Sequence, residues 1–221
     1  GDVLDIDVEV EAGAHALVTT PGAARFYKSN GQQALQRTKL KLQAGARLEW
    51  LPLEAIAYNA CDAVNHLEFD LAEDAQLLTW DVTALGLPLA AQPFEDGVFE
   101  QHIEWPGRFL ERGVVNAQDD LLLNGDLGLA GNRCLASLIF ASGTPIARAQ
   151  REALLEASHE LLGAAPEGVW SGVTSPNENM LVLRGVSPVV EPVMMLWKKL
   201  WMLWRKELWG LEGTAPRIWS M

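Results

Sequence analysis

Cysteine is scarce in this chain of 221 residues: only Cys61 and Cys134 occur. No disulfide framework can support the fold, which must rest on its own core. Basic residues are few, 17 Lys and Arg against 29 Asp and Glu, giving a net charge of −12. That excludes a general nucleic-acid binder, because neutralising phosphates takes clustered cations. No signal-peptide pattern is visible, and no apolar run of about 18 residues suggests a membrane span. A cytoplasmic protein is the simplest expectation. The four histidines, His15, His66, His102 and His159, form no His-x-x-x-His pair, and there is no Cys-x-x-Cys. No tight metal site is therefore encoded locally. Gly-x-Ser-x-Gly is missing, and "NGDLGLAG" lacks the Lys-Ser/Thr end of a phosphate loop. What remains is a chain that is 49% hydrophobic, enough for a real core.

What is present is a repeat. "LDIDVEVEAGAHALVTTP" (Leu4 to Pro21), "TKLKLQAGARLEWLP" (Thr38 to Pro52) and "HLEFDLAEDAQLLTWD" (His66 to Asp81) share one pattern. Each has an alternating apolar/polar run, a small turn and a second alternating run. The turns centre on Gly13, Gly45 and Asp74, with spacings of 32 and 29 residues. Alternation at period two marks strands with one buried face. Repetition near 30 residues predicts stacked strand–turn–strand units, a β-helix-like body. Further β segments are predicted at Phe99 to Glu111 and Leu121 to Ala141.

The pattern then changes. Thr144-Pro145 reads as the cap and first turn of a helix running from Ile146 to Leu162, closed by Gly163. Gly168 to Arg184 reads as two short strands around "SPNEN". Ser187-Pro188 opens a second helix that reaches Trp209 and stops at Gly210. The predicted fold class is mainly β with two helices (α+β). It is one domain, a repetitive body over 1–143 and a helix–hairpin–helix unit with a tail over 144–221. The chain begins inside an alternating pattern at Gly1-Asp2-Val3, as expected of an incomplete N-terminus.

Carboxylates carry the remaining chemistry. In "RLEWLPLEAI", Glu49 and Glu54 could be the acid and base of a hydrolase, or the outward edge of a strand and turn. Glu49 neighbours Trp50, so the two point to opposite faces. If Trp50 packs inside, Glu49 faces water or a partner. Asp81 follows Trp80 at the equivalent place in the third repeat, and Glu111 is next to Arg112. Stacked repeats align such positions in space, so a file of acidic groups through the body is one outcome. A carbohydrate-active enzyme with paired carboxylates is the alternative.

"TTPGAARFYKS" (Thr19 to Ser29), "LEWLPLEAI" (Leu48 to Ile56), "TWD" with Gly86 following, and the terminal "PRIWSM" (Pro216 to Met221) occur in that order. Together they resemble the urease accessory protein D family, called H in some lineages, over essentially the whole chain. Gly1-Asp2 is similar to the end of that family's Gly-Gly-Asp motif. Leu53, Leu87 and Met221 depart from its usual residues. The resemblance implies a non-enzymatic scaffold that joins urease apoprotein to the F and G accessory proteins, G being a GTPase. It also implies passage of Ni²⁺ through an internal channel, transiently and with no tightly bound cofactor. By the same resemblance Asp2, Asp81 and Glu111 are channel carboxylates, with Thr19 and Thr20 nearby. Oxygen ligands suit a conduit, since they hold Ni²⁺ more loosely than imidazole or thiolate.

"LWKKLWMLWRKELWG" places Trp197, Trp201, Trp204 and Leu208 on one helical face. Core packing combined with partner contact is expected rather than a membrane surface. Trp197, Trp201, Trp204 and, in the tail, Arg217, Ile218 and Trp219 are the expected partner-binding residues.

Overall fold

The computed structural model describes residues 1–220. Met221, the last residue of the terminal motif, lies outside the described residues.

The predicted repeat is a stack of coils. The first coil contributes β1 (Val3–Val10), β2 (His15–Val18) and β3 (Ala24–Phe26). The second contributes β4 (Ala34–Leu42), β5 (Arg47–Trp50) and β6 (Ala55–Ala57). The third contributes β7 (Cys61–Leu71) and the long β8 (Gln76–Leu87), followed by β9 (Gln92–Pro93). Equivalent strands pair in parallel: β1 with β4, β4 with β7, β2 with β5 and β5 with β8. The three turns stack as well, with Gly13 N donating to Ala44 O and Gly45 N to Glu73 O. Gly13, Gly45 and Asp74 all have positive φ, +71°, +67° and +58°. The recurring small residue thus has a conformational cause: each corner turns through the left-handed region, open to Gly and tolerated by Asp.

β10 (Gly97–Trp105) adds to this first sheet in parallel, and β11 (Phe109–Asn116) folds back on it as a hairpin. The first sheet therefore runs β1-β4-β7-β10-β11. After a short α1 (Asp120–Asn124), β12 (Cys134–Ser142) pairs antiparallel with β8. α2 (Arg148–Gly163) follows, then the hairpin β13 (Trp170–Thr174) and β14 (Met180–Ser187), which extends the second sheet beyond β12. The last long element is α3 (Val190–Trp209). Strands of the C-terminal unit and of the coils thus share one sheet.

Three layers result: first sheet, second sheet, helices. β8 is covered on both sides, so its burial no longer alternates. Leu77 and Leu85 face the first sheet, while Leu78, Trp80 and Val82 face the helices. On α3, Trp197, Trp201 and Trp204 are 0% exposed. Each large aromatic so buried stabilises the fold by a few kcal/mol, about 1.5–3 for a Phe-sized group.

Several expectations are corrected. Among the described residues there are three α-helices, not two. The segment expected as β from Leu121 opens with α1, because the Asp119 side chain accepts from Leu122 N and caps a helical turn. Thr144 does not cap α2, which begins after Ala147 with no side-chain cap. Its hydroxyl instead donates to Asp74 Oδ1 at 2.6 Å and accepts from Asp74 N at 3.1 Å, clamping the third-coil turn. Glu49 faces neither water nor a partner. It is 0% exposed, because α3 covers the side of β5 that alternation alone would leave wet. Trp197, Trp201 and Trp204 belong to the core, so their rings offer no surface to a partner.

Candidate functional site

Between the two sheets, apolar clusters fill both ends of the interlayer. A polar belt separates them, and strand register creates it. In the first sheet, Gln36 pairs with Asn65 and Asn65 with Gln101 on the inner face. In the second, Asp81 pairs with Ser137 and Ser137 with Arg184. Each is an inward-facing polar residue at the same height in its coil.

The belt is hydrogen-bonded across the sandwich. Gln36 Nε2 donates to Asn65 Oδ1 at 3.2 Å, and Asn65 Nδ2 donates to Asp81 Oδ2 at 2.8 Å. Thr83 Oγ1 lies 3.2 Å from Asp81 Oδ1 and 3.4 Å from Gln101 Oε1. Farther along, Ser137 Oγ donates to Glu111 Oε1 at 3.2 Å, and Arg184 Nε donates to Glu111 Oε2 at 2.7 Å. Asp81, Thr83, Gln101, Glu111, Ser137 and Arg184 line a cavity of about 460 Å³. A second cavity, of about 390 Å³, is lined by Asp2, Arg25 and Gln36 among others. The chain Gln36–Asn65–Asp81 therefore links the wall of one cavity to the wall of the other.

Burial pushes the Asp81 carboxyl above its ordinary range. Polar groups of Gln101, Thr83 and Asn65 pull the other way, and the negative Glu111 adds to the rise. Two carboxylates in one cavity, with Arg184 already committed to Glu111, leave Asp81 with no cationic partner of its own among the described ion pairs.

Of the five residues expected to form a channel, Asp81 and Glu111 are brought together. Asp2 lies on the second cavity, connected through Gln36. Thr19 and Thr20 line neither cavity. Thr20 Oγ1 accepts from Leu53 N at 2.9 Å, and Thr19 Oγ1 accepts from Trp219 Nε1 at 2.9 Å. They are clasps, one for a coil corner and one for the tail. Trp219 is 9% exposed and packs against Trp80 and Trp201 at ring-centroid distances of 5.0 and 5.2 Å. Ile218 is half-buried beside it, and Arg217 is exposed.

Gln36, Asn65 and Gln101 were missed in the sequence. The same alternation and 29-residue offset that align the coils also align Gln36 with Asn65, so the signal was present. A hydrolytic pair finds no support: Asp81 is held by Asn65 and Thr83, Glu111 is ion-paired with Arg184, and Glu49 is sealed under α3. Glu54 sits apart, in the loop before β6. Among the described residues, no helix is long and apolar enough to cross a membrane.

A coiled β body whose sheets enclose a carboxylate-bearing belt, closed by one tryptophan-rich helix, is the class of protein this geometry defines. The family model described as UreD urease accessory protein matches residues 1–220. A urease accessory protein UreD of Albidiferax ferrireducens is 55% identical over 221 residues, covering 100% of this chain and 80% of the relative. That of Variovorax paradoxus is 54% identical over 220 residues, with coverage of 100% and 80%. The Leptothrix cholodnii protein is 43% identical over 219 residues, covering 99% and 79%. The chain belongs to the UreD urease accessory protein family.

Proposed function

We propose that this protein is a non-catalytic scaffold in urease maturation, which links urease apoprotein to the F and G accessory proteins and passes Ni²⁺ along its interlayer belt. Membership of the family supports the maturation role. The observation that carries the conduit reading is the hydrogen-bonded chain Gln36–Asn65–Asp81 between two cavities, one bearing Asp2 and the other Asp81 and Glu111. Neutral amides and hydroxyls between carboxylates provide oxygen donors that bind a hydrated Ni²⁺ weakly enough to release it. Gln101, on the wall of the cavity that holds Asp81 and Glu111, adds hydrogen-bonding capacity on the same path. A cation entering the belt also relieves the repulsion between Asp81 and Glu111.

The test is co-expression with urease apoprotein and the F and G proteins, followed by pull-down and nickel-dependent activation. Asp81→Ala and Glu111→Ala are expected to leave complex formation intact and to slow activation. Normal activation by both variants would remove the conduit. Loss of the complex with either would reassign that residue to the scaffold.

A further inference from the structure

The outer face of the first sheet carries a second set of donors, unrelated to the belt. β7 alternates strictly, so Asn65 points into the interlayer and His66 points out. Parallel pairing puts His102 of β10 directly opposite His66. Glu104 lies two residues farther along β10, on the same face. The two imidazoles stack with centroids 4.1 Å apart and planes at 20°. His102 Nε2 is 3.0 Å from Glu104 Oε2. One nitrogen from each ring and one carboxylate oxygen of Glu104 lie within 4.8 Å of one another.

A packed histidine pair with one carboxylate partner would account for His102 but not for His66. The His66 Nε2 atom is buried and makes no hydrogen bond, so its desolvation is uncompensated by any group of the protein. Lys39 of β4 stands opposite Glu68, and two further flanking cations are already engaged. Arg37, opposite His66 on β4, is bonded to Asp5 at 2.9 Å. Arg112, opposite His102 on β11, is bonded to Glu100 at 2.7 Å. Glu68 pairs with Glu104 across the strands and adds a further negative group beside the rings.

We propose that His66, His102 and Glu104 form a binding site for one divalent transition-metal ion of the borderline class, Ni²⁺ or Zn²⁺, on the outer face of the first sheet. Two imidazoles and a carboxylate are the donor set such ions prefer, and Mg²⁺ and Ca²⁺ do not. Coordination at about 2.1 Å requires each ring to turn out of the stack so that its nitrogen lone pair meets the ion. With three protein ligands, coordination positions stay open to water or to a donor from another molecule. The site is one strand's thickness from Asn65 but on the opposite side of the sheet. It stands or falls independently of the conduit reading.

The experiment is calorimetric titration of the full chain, free of any histidine tag, with Ni²⁺, Zn²⁺ and Mg²⁺, alongside X-ray absorption of the Ni²⁺-loaded protein. The wild type is expected to bind one equivalent of Ni²⁺ or Zn²⁺ with imidazole in the first coordination sphere, and no Mg²⁺ at that site. His66→Ala and His102→Ala are expected to weaken that equivalent at least tenfold and to abolish the metal-induced rise in Tm. His66→Gln and His102→Gln serve where the alanine variants lose native circular dichroism. Glu111→Gln, inside the belt, is expected to retain the equivalent. An all-oxygen coordination sphere, or histidine variants that titrate like the wild type, would overturn the proposal. So would loss of the equivalent in Glu111→Gln alone.

Discussion

The indole of Trp201 donates to the carboxylate of Glu49 at 2.6 Å, joining α3 to β5 across 152 residues of sequence. The other Glu49 oxygen is 2.8 Å from His15 Nε2 and 3.4 Å from Arg205 Nε. Arg205 in turn lies over the Trp201 ring, 5.5 Å from its centroid. A buried carboxylate is held by groups from the first coil and from the last helix. Glu49→Ala removes the shared partner and leaves His15, Trp201 and Arg205 uncompensated. A loss of about 3–5 kcal/mol in chemical denaturation is expected. Trp201→Phe, which removes one donor and keeps most of the packing, should cost less, about 1–3 kcal/mol. A Glu49→Ala protein as stable as the wild type would deny the carboxylate its anchoring role.

Asp81 gives a pH dependence of definite sign. Its folded pKa is raised, so the folded state keeps the proton to higher pH than the unfolded chain. Its contribution to stability is therefore most favourable below its unfolded pKa, about 4. It declines as pH rises toward the folded value and levels off above it. Asp81→Asn removes that slope. Thermal melts should show the variant gaining stability over the wild type from acid to neutral pH, while urease activation slows. A stability gap that does not change with pH would show that burial is not what sets this group.

Asn65 tests the belt without altering a charge. Asn65→Leu severs both Gln36–Asn65 and Asn65–Asp81 and leaves each carboxylate in place. Activation is expected to slow about as much as for Asp81→Ala, with pull-down of the partners unchanged. Wild-type activation would mean that continuity between the two cavities is irrelevant.

Thr144→Val separates two readings of one residue. The structure has it clamping the Asp74 turn, so the variant should lose about 1 kcal/mol and keep the helical circular-dichroism signal. A lower helix content would restore the capping role.

For partner docking, the tail is better probed by point substitution than by truncation, because removing Trp219 uncovers Trp80 and Trp201. Arg217→Glu is expected to keep the native circular-dichroism signal while weakening the F complex in pull-down. An unchanged complex would move the docking surface elsewhere.

The coils, their corners and the helix–hairpin–helix order were legible because each rests on local periodicity. Gly13, Gly45 and Asp74 mark corners in the sequence as they do in space. The site was half legible. Asp81 and Glu111 came from resemblance, while Gln36 and Asn65 could have been found by laying the repeats on one another. What alternation could not convey is a third layer. It places Glu49 opposite Trp50 and therefore outside, which holds for a two-layer protein but fails once α3 covers that face. His66 and His102 stayed hidden for a related reason. Metal spacing is usually sought within one segment, and these two are 36 residues apart, made neighbours only by parallel stacking.

The position of α3 in the chain also orders its biogenesis. Its binding face on the second sheet is complete only when β14 has joined β12, and the helix is synthesised directly afterwards. Until then Leu78, Trp80 and Phe140 form an apolar plateau open to water, and Glu49 beside it has His15 but neither Trp201 nor Arg205. A chain released before Val190 should accordingly collect in the insoluble fraction, and the twenty residues of α3 are what close that surface to water.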